Sequence, residues 1–539
     1  MNPLINALPR LSLLYLATLF ALVSVDPGLV SLFRSLAYDL NEGQSIVMRV
    51  LVLGCSAGIV MLPLLLHGKL KVILYLSILL PLMVTGQTFR LVNGEFSSWE
   101  AGLIVNEFGF AGGAIIAFGN QVTQATVTTL LVLILLYLLR VPVLRGRVNA
   151  VLMFSPWVLP VIYLLFAQGG YWSRHFVLPV KVPSNLAYEL LNPIPISTRE
   201  RVNIPVSDTK PPHILYLVDE SIRGDLLSIN NQQERTTPRL SSLITRHRAY
   251  NYGVVSSVAN CSAQSNLLLR TGLRPGQLPD RQGALFSQAN LFQYAHKAGM
   301  ETHYLDAQVK GQRLQNFFTH QEIEQIDHYW PLKNHLDLDE HLLDQELLDS
   351  IIERVSHADK PLFIYANKVG THFPYQETYP NPDPSHDKAE HYRAALRWAV
   401  DRFLDRLITG LQHSGQAVQV IYTSDHGQGL GEGGSHSTHC LPKDPVDVQA
   451  RVPLIMFSLN LDLPAQWQPE NGFYSQFQLF PTVLQMMGYE ADAVIDRYGT
   501  DLSGPWRGRR IFYSGDLSGR GQLSKNHFKH AAQQRLVSG

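Results

Sequence analysis

The chain carries no excess of either charge: 44 lysines and arginines balance 44 aspartates and glutamates over 539 residues. Without a global basic field, no nucleic-acid partner is expected. Cysteine is scarce, with three in all, which excludes a disulfide-built scaffold. Cys55 falls inside an apolar run. Whether Cys261 and Cys440 pair is left open by the sequence, free thiols being the default reading. There is no internal repeat and no low-complexity tract. Charged residues make up only 16% of the chain and hydrophobic ones 46%, and the apolar excess is unevenly spread.

Most of it lies in the first 170 residues. Apolar runs cover 11–34, 47–66, 71–88, 122–140 and 149–168, each about the length of a bilayer span. The first is broken by Asp26-Pro27, lacks a small-residue cleavage site and precedes further spans, so it reads as an anchor and not a removed signal peptide. Arg10, the pair Lys69 and Lys71, and Arg140, Arg145 and Arg147 fall on one side of a five-span arrangement, which marks that side as cytoplasmic. Five spans export everything after about residue 170. In a bacterium with two membranes the expectation is a multi-pass inner-membrane protein with its second half in the periplasm. The outer stretch "WEAGLIVNEFGFAGGAIIAFGN" is apolar and glycine-rich yet carries Asn106 and Glu107, and reads as a surface-lying helix beside a lipid site. Residues 171–212, with Tyr171-Trp172, "NPIP" and "DTKPP", read as an interfacial linker, and 519–539 as a loosely ordered basic tail.

From residue 213 to 518 the pattern changes to short apolar strands alternating with amphipathic helices. Strands are expected at 213–218, 302–305, 361–366, 419–424 and 452–457, and helices at 289–298, 340–355, 388–412 and 475–487. This alternation argues an α/β domain with a mainly parallel sheet, which binds ligands at the carboxyl ends of its strands. The residues found there are Asp219 and Glu220, Asp306 and Lys310, His372, and Asp425 and His426 with His436 and His439 downstream. Carboxylates and imidazoles gathered on one sheet edge are what a zinc-type site requires. The stretch "VANCSAQSNLLLRTG" adds a helix start offering Ser262, which taken alone reads as an N-cap.

The stretches "YLVDESIRGDLLSINNQQERTTPRL", "NCSAQSNLLLRTG", "YLDAQVKGQ", "DEHLLDQELLD", "KVGTHFPYQETYP", "SDHGQGLGE" and "VPLIMF" follow one another over more than 200 residues. In that order they resemble the membrane phosphoethanolamine transferases of the alkaline phosphatase and sulfatase superfamily. The resemblance implies an N-terminal five-helix transmembrane domain (1–170) plus a C-terminal α/β sulfatase-like, alkaline phosphatase-like domain. It implies one tightly bound zinc held by Glu220, Ser262, Asp425 and His426, with a second zinc during turnover. Ser262 is then the nucleophile, His372 and His439 contact the phosphoryl group (His436 being the rival of His439), and Lys310 holds the substrate. Asn106 and Glu107 are placed on the lipid-binding side.

Sulfatases convert a cysteine or serine at this helix start to formylglycine, which needs proline two residues on and arginine four residues on. Gln264 and Asn266 stand there, so Ser262 is expected to stay a serine. The implied reaction takes phosphoethanolamine from phosphatidylethanolamine and passes it through Ser262 to lipid A or another envelope glycan. Membrane lipids are thus both surroundings and substrate. The alternatives are a phosphoglycerol transferase of the lipoteichoic-acid synthase type and a metal-dependent phosphodiesterase.

Overall fold

The computed structural model of the protein describes residues 68–93, 96, 101, 104, 119–138, 178–191 and 198–530, apart from 209, 248, 309–314, 433–437, 441–444 and 519–522. The chain divides into two compact units, Met1–Pro195 with Arg520–Gln522, and Ile196–Gly519 with Leu523–Gly539.

The first unit contains helices α1 (Lys69–Asn93), α2 (Gly119–Leu138) and α3 (Leu178–Leu191). Within them Val72–Leu91 and Gly119–Leu138 are each long and apolar enough to cross a membrane. They correspond to the expected spans at 71–88 and 122–140; those at 11–34, 47–66 and 149–168 lie outside the described residues. Thr129 in α2 donates to Gln87 in α1 at 3.1 Å, pairing two polar groups between apolar helices. Ile73, Leu74 and Ile78 on α1, and Leu131, Ile134 and Leu138 on α2, are exposed, as a lipid-facing surface would leave them.

The second unit is built on a seven-stranded sheet. Its strands are β1 (His213–Asp219), β2 (Tyr250–Ser256), β3 (Glu301–Asp306), β4 (His328–Pro331), β5 (Leu362–Asn367), β6 (Val418–Ser424) and β7 (Arg451–Leu459), in the order β2-β7-β6-β1-β5-β3-β4. The pairs β1/β5, β1/β6, β3/β5 and β3/β4 are parallel, while β7 runs antiparallel to both β6 and β2. Every residue of β1, β5 and β6 is buried, because helices cover both faces of a sheet of this kind. One face packs Leu215, Leu217, Ile364 and Val420 against the helices Glu340–Ser356 and Phe403–His413. The other stacks Tyr216, Tyr365 and Tyr304, with ring centroids 5.2 and 5.8 Å apart.

The five expected strands are all present, within two residues at each end. β2 and β4 were not expected. β2 carries Asn251 and Gly253, poor strand formers, and its register shifts between them, which breaks the alternating signal. β4 is a four-residue edge strand ending in proline. The expected loose tail is also corrected: Leu523–His527 (β9) pairs antiparallel with Ile511–Gly515 (β8) as a separate two-stranded sheet. Its polar sequence LSKNH hid it, since backbone pairing with β8 forms it more than apolar burial does.

β2 decides where the site is built. Two successive antiparallel pairings return it to the direction of β6 and β1, so its carboxyl end reaches the edge where β1, β3, β5 and β6 also end. The residues leading to Ser262 therefore arrive beside Glu220 and Asp425.

Candidate active site

The carboxyl ends of β1 and β6 place Glu220, Asp425 and His426 so that one ligand atom from each lies within 4.8 Å of the others, all three side chains buried. Helix α4 (Ser262–Thr271) brings the fourth group. Its N-cap position is held by Cys261, with extended backbone and no side-chain cap. This corrects the plain capping reading: Ser262 is the first helical residue and its hydroxyl is directed elsewhere. Ser262 Oγ lies 3.1 Å from Glu220 Oε2 and 3.1 Å from His426 Nε2.

Hydrogen bonds fix the state of these groups. His426 Nδ1 lies 2.7 Å from the Gly427 carbonyl, which can only accept, so Nδ1 carries the proton and Nε2 presents its lone pair to the cluster. Burial lowers the His426 pKa and keeps the ring neutral. Asp425 Oδ1 accepts from the backbone N–H groups of Ser221 at 3.1 Å and His426 at 2.7 Å. Its other oxygen, Oδ2, is buried with no hydrogen-bond partner among the described residues. Burial and the neighbouring Glu220 push the Asp425 carboxyl well up. A buried carboxylate oxygen left unsatisfied is costly, and two buried acids facing one neutral imidazole are short of positive charge. The donor set of two carboxylates, one imidazole lone pair and one hydroxyl fits a divalent cation.

His439 stacks on His426, with ring centroids 4.4 Å apart and planes at 28°. Burial and His426 lower its pKa to about 3, so it is a neutral ring. Its Nδ1 lies 3.2 Å from Gln428 Oε1. His372 is exposed on the loop after β5, near enough to Glu220, His426 and His439 to interact with them electrostatically. The structure thus brings together Glu220, Ser262, Asp425, His426 and His439, with His372 at the rim. Lys310, His436, Asn106 and Glu107 lie outside the described residues. Asp306 turns away from the cluster, accepting from Tyr304 at 2.6 Å and from the backbone N–H of Gln308 at 2.7 Å.

Several supporting residues were not anticipated. Gln308 donates to Glu220 Oε2 at 3.2 Å and to the Lys368 carbonyl at 2.6 Å, bridging the loops after β3 and β5. Behind Glu220, the fully buried Lys368 ammonium lies 2.5 Å from Asp219 Oδ2 and 3.6 Å from Asp344. Asp219 Oδ1 accepts the Glu220 backbone N–H at 3.0 Å, and Asp344 accepts those of Val369 and Gly370 at 2.8 and 3.1 Å. One buried ion cluster thereby positions both the Glu220 turn and the loop that carries His372. Gly370 makes the close approach possible: its φ is +56°, and a Cβ there would come within 2.3 Å of Asp219 Oδ1. A buried lysine seven residues before a tyrosine, or an aspartate in mid-helix, gives no such signal in sequence.

Cys261 and Cys440 form a disulfide across 179 residues, with Cα atoms 4.6 Å apart. This corrects the default of free thiols. Sequence separation concealed it, whereas the return of β2 to the site edge makes it geometrically natural. The bond ties the residue before Ser262 to the residue after His439. Replacing both cysteines with alanine is expected to cost about 2–5 kcal/mol of stability. It should also slow any chemistry at Ser262 by about 10²-fold, as loosened positioning does. Chemical denaturation and single-turnover rates measure the two effects separately.

The match to a family model named Sulfatase covers residues 212–489. In fold the chain is similar to the integral membrane protein lipooligosaccharide phosphoethanolamine transferase A (EptA) from Neisseria meningitidis. The identity is 16% and the TM-score 0.53, over 88% of this chain and 96% of that one. It is also similar to the C-terminal periplasmic domain of EcEptC from Escherichia coli in complex with Zn, at 15% identity and a TM-score of 0.50, over 61% of this chain and 96% of that one. No curated protein matches it in sequence. Since the matched region spans more than half of its length and contains the whole buried cluster, the chain belongs to the sulfatase family.

Proposed function

We propose that the protein is a zinc-dependent phosphotransferase that moves phosphoethanolamine from phosphatidylethanolamine, through a covalent ester on Ser262, to an envelope glycan or glycolipid. The observation that carries this reading is the Ser262 hydroxyl, 3.1 Å from both Glu220 and His426 and beside the unpartnered Asp425 oxygen. The likeness to EptA and EcEptC supports the choice of headgroup.

Glu220, Asp425, His426 and Ser262 would hold the zinc, which when bound supplies positive charge to the cluster and lowers the proton affinity of the serine hydroxyl. Ser262 Oγ attacks the phosphorus of the donor. The phosphorus–oxygen bond to glycerol breaks, and diacylglycerol leaves with a proton on that oxygen. His372, at the exposed rim, takes the proton that Ser262 gives up and delivers it to that oxygen, and His439 steadies the phosphoryl oxygens. An acceptor oxygen then displaces Ser262 and restores the hydroxyl. Gln264 and Asn266 favour an unmodified serine, and an alcohol can carry the group where a formylglycine hydrate would not. Asn266 is already engaged: it donates to the Ser262 carbonyl at 3.0 Å and accepts from Tyr365 at 2.7 Å.

Membrane attachment follows the substrate. The apolar surfaces of α1 and α2 suit a bilayer, the Cys261–Cys440 bond suits an oxidising compartment, and the loop charges favour a catalytic unit on the outer side. The reading is therefore an inner-membrane enzyme acting in the periplasm.

The intact mass of the purified protein after incubation with phosphatidylethanolamine tests the reaction. The expected result is one added phosphoethanolamine, mapped to the peptide containing Ser262. An adduct formed from phosphatidylglycerol in preference would assign the phosphoglycerol reaction. Free headgroup without any adduct would indicate a phosphodiesterase.

A further inference from the structure

Among the described residues, Glu301, His303 and His328 form a second group of potential ligands, with one ligand atom from each within 4.8 Å of the others. Glu301 and His303 stand two apart on β3 and so share a face of the sheet. His328 opens the edge strand β4 and pairs in register with His303 across the parallel strands. Neighbouring strands lie about 4.8 Å apart, which brings the two imidazoles into a stack with centroids 4.4 Å apart and planes at 26°. Both rings turn Nε2 to one atom: Glu301 Oε1 lies 3.1 Å from His303 Nε2 and 3.0 Å from His328 Nε2. The group sits at the amino ends of β3 and β4. Glu220 and Asp425 follow the carboxyl ends of β1 and β6, at the opposite edge of the sheet, and the mechanism uses none of the three residues.

The spacing suits a small cation. Zinc bonds of about 2.0–2.1 Å at tetrahedral angles set neighbouring ligand atoms about 3.3 Å apart. An ion can therefore take the place of the N–H protons between the rings and the carboxylate after shifts of a few tenths of an ångström, each ring then carrying its proton on Nδ1. Two imidazoles and one carboxylate favour zinc or copper over magnesium or calcium. The His303 side chain is only 4% exposed, whereas those of Glu301 and His328 are 34% and 49% exposed. One ligand is thus fixed inside, and two stand where an ion from solution reaches them.

The surroundings hold these ligands in place. Asp327, just before His328, accepts from the Thr302 backbone N–H at 2.8 Å and from its hydroxyl at 2.9 Å, and returns its own N–H to that hydroxyl at 3.0 Å. The starts of β3 and β4 are thereby fixed to each other beside the histidine pair, which lowers the ordering cost of binding. One group opposes an ion. Arg354, in the last turn of the helix Glu340–Ser356, donates from Nη1 to His303 Nδ1 at 3.4 Å, at the outer limit of a hydrogen bond. Coordination through Nε2 puts the proton on Nδ1, so this contact has to open. The guanidinium has a second position to favour, over the Trp330 ring, whose centroid is 5.7 Å away.

We propose that Glu301, His303 and His328 form a further divalent-cation site, of the zinc type, that fastens the edge strand β4 to β3. The strand is only four residues long and ends in proline, so few backbone bonds hold it, and an ion shared between its first residue and two residues of β3 adds a cross-link where it starts. The site is independent of the transferase reading.

Zinc titration of the full chain in detergent, after stripping with a chelator, tests it. In the Asp425→Asn protein, where the cluster beside Ser262 is impaired, one zinc per chain should still bind. Adding Glu301→Gln or His328→Gln should weaken that binding by at least about 100-fold, beyond the effect of losing a supporting partner. Both side chains are partly exposed, so these variants should fold normally. In the otherwise unaltered chain the same two substitutions should each remove one zinc per chain, a comparison that does not depend on Asp425→Asn folding. His413→Gln, which removes an exposed histidine at the end of the helix Phe403–His413, should change nothing. Arg354→Gln should tighten binding by about 3-fold or more, the scale of one neighbouring like charge near water. Zinc should also slow amide hydrogen exchange in β4, and His328→Gln should abolish that slowing. A zinc count that Glu301→Gln and His328→Gln leave unchanged overturns the site. Looser binding in Arg354→Gln overturns His303 Nε2 as a ligand. Exchange in β4 that zinc does not alter overturns the fastening role.

Discussion

Replacing Ser262 with alanine is expected to abolish both the covalent adduct and the transfer of headgroup, lowering turnover by at least about 10³-fold, the scale on which a covalent nucleophile is missed. The loss should be chemical and not structural. Ser262 is partly exposed and not the N-cap, its hydroxyl lies against the buried Glu220 and His426, and alanine is the best helix former. The thermal midpoint should hardly move. Metal content, measured on purified protein, should fall only modestly, because Glu220, Asp425 and His426 still converge. Asp425→Asn gives the contrasting result. It removes the charge of a buried carboxylate whose second oxygen has no hydrogen-bond partner among the described residues, so metal should be lost together with activity. Full transfer activity in the Ser262→Ala protein would falsify the covalent mechanism.

The parts of this site that were legible in sequence share a physical reason. Glu220, Asp425 and His426 each follow directly on an apolar strand, and a parallel sheet aligns the carboxyl ends of its strands, so local pattern predicts their convergence. Ser262 could be connected to them only through resemblance. The strand that delivers it, β2, is masked by Asn251 and Gly253, and its direction depends on β7 turning back, which no local pattern records. The Cys261–Cys440 bond was hidden for the same reason. Gln308, Lys368 and Asp344 act through contacts between residues 24 to 149 positions apart. Polar residues of this kind look like ordinary surface or helix-face residues until the fold buries them.

The far end of the helix that begins with Ser262 holds the other large effect. Glu322 is fully buried and accepts from Arg270 Nε at 3.1 Å, Arg199 Nη2 at 3.1 Å and Asn290 Nδ2 at 3.0 Å. Arg270, in the last turn of α4, also lies 3.8 Å over the Phe318 ring. A single carboxylate thus compensates two buried guanidinium groups and anchors the helix that begins with Ser262. Glu322→Gln keeps the shape but leaves both cations without a counter-charge, and is expected to cost about 3–5 kcal/mol. Burial opposes the charged form of Glu322, but Arg199 and Arg270 outweigh it and hold the carboxyl below its ordinary value. A group whose pKa is lower folded than unfolded adds stability that is complete above its unfolded pKa, near 4.3, and is lost as pH falls through the folded value. The stability gap between the unaltered protein and Glu322→Gln should therefore be widest at neutral pH and shrink below about pH 4 as the carboxyl takes up a proton. Urea unfolding of both proteins across that range measures it. A gap independent of pH down to the acid limit would mean that Glu322 acts through shape and not through charge. Because the same helix positions the serine, the variant should also form the Ser262 adduct more slowly under conditions where it remains folded.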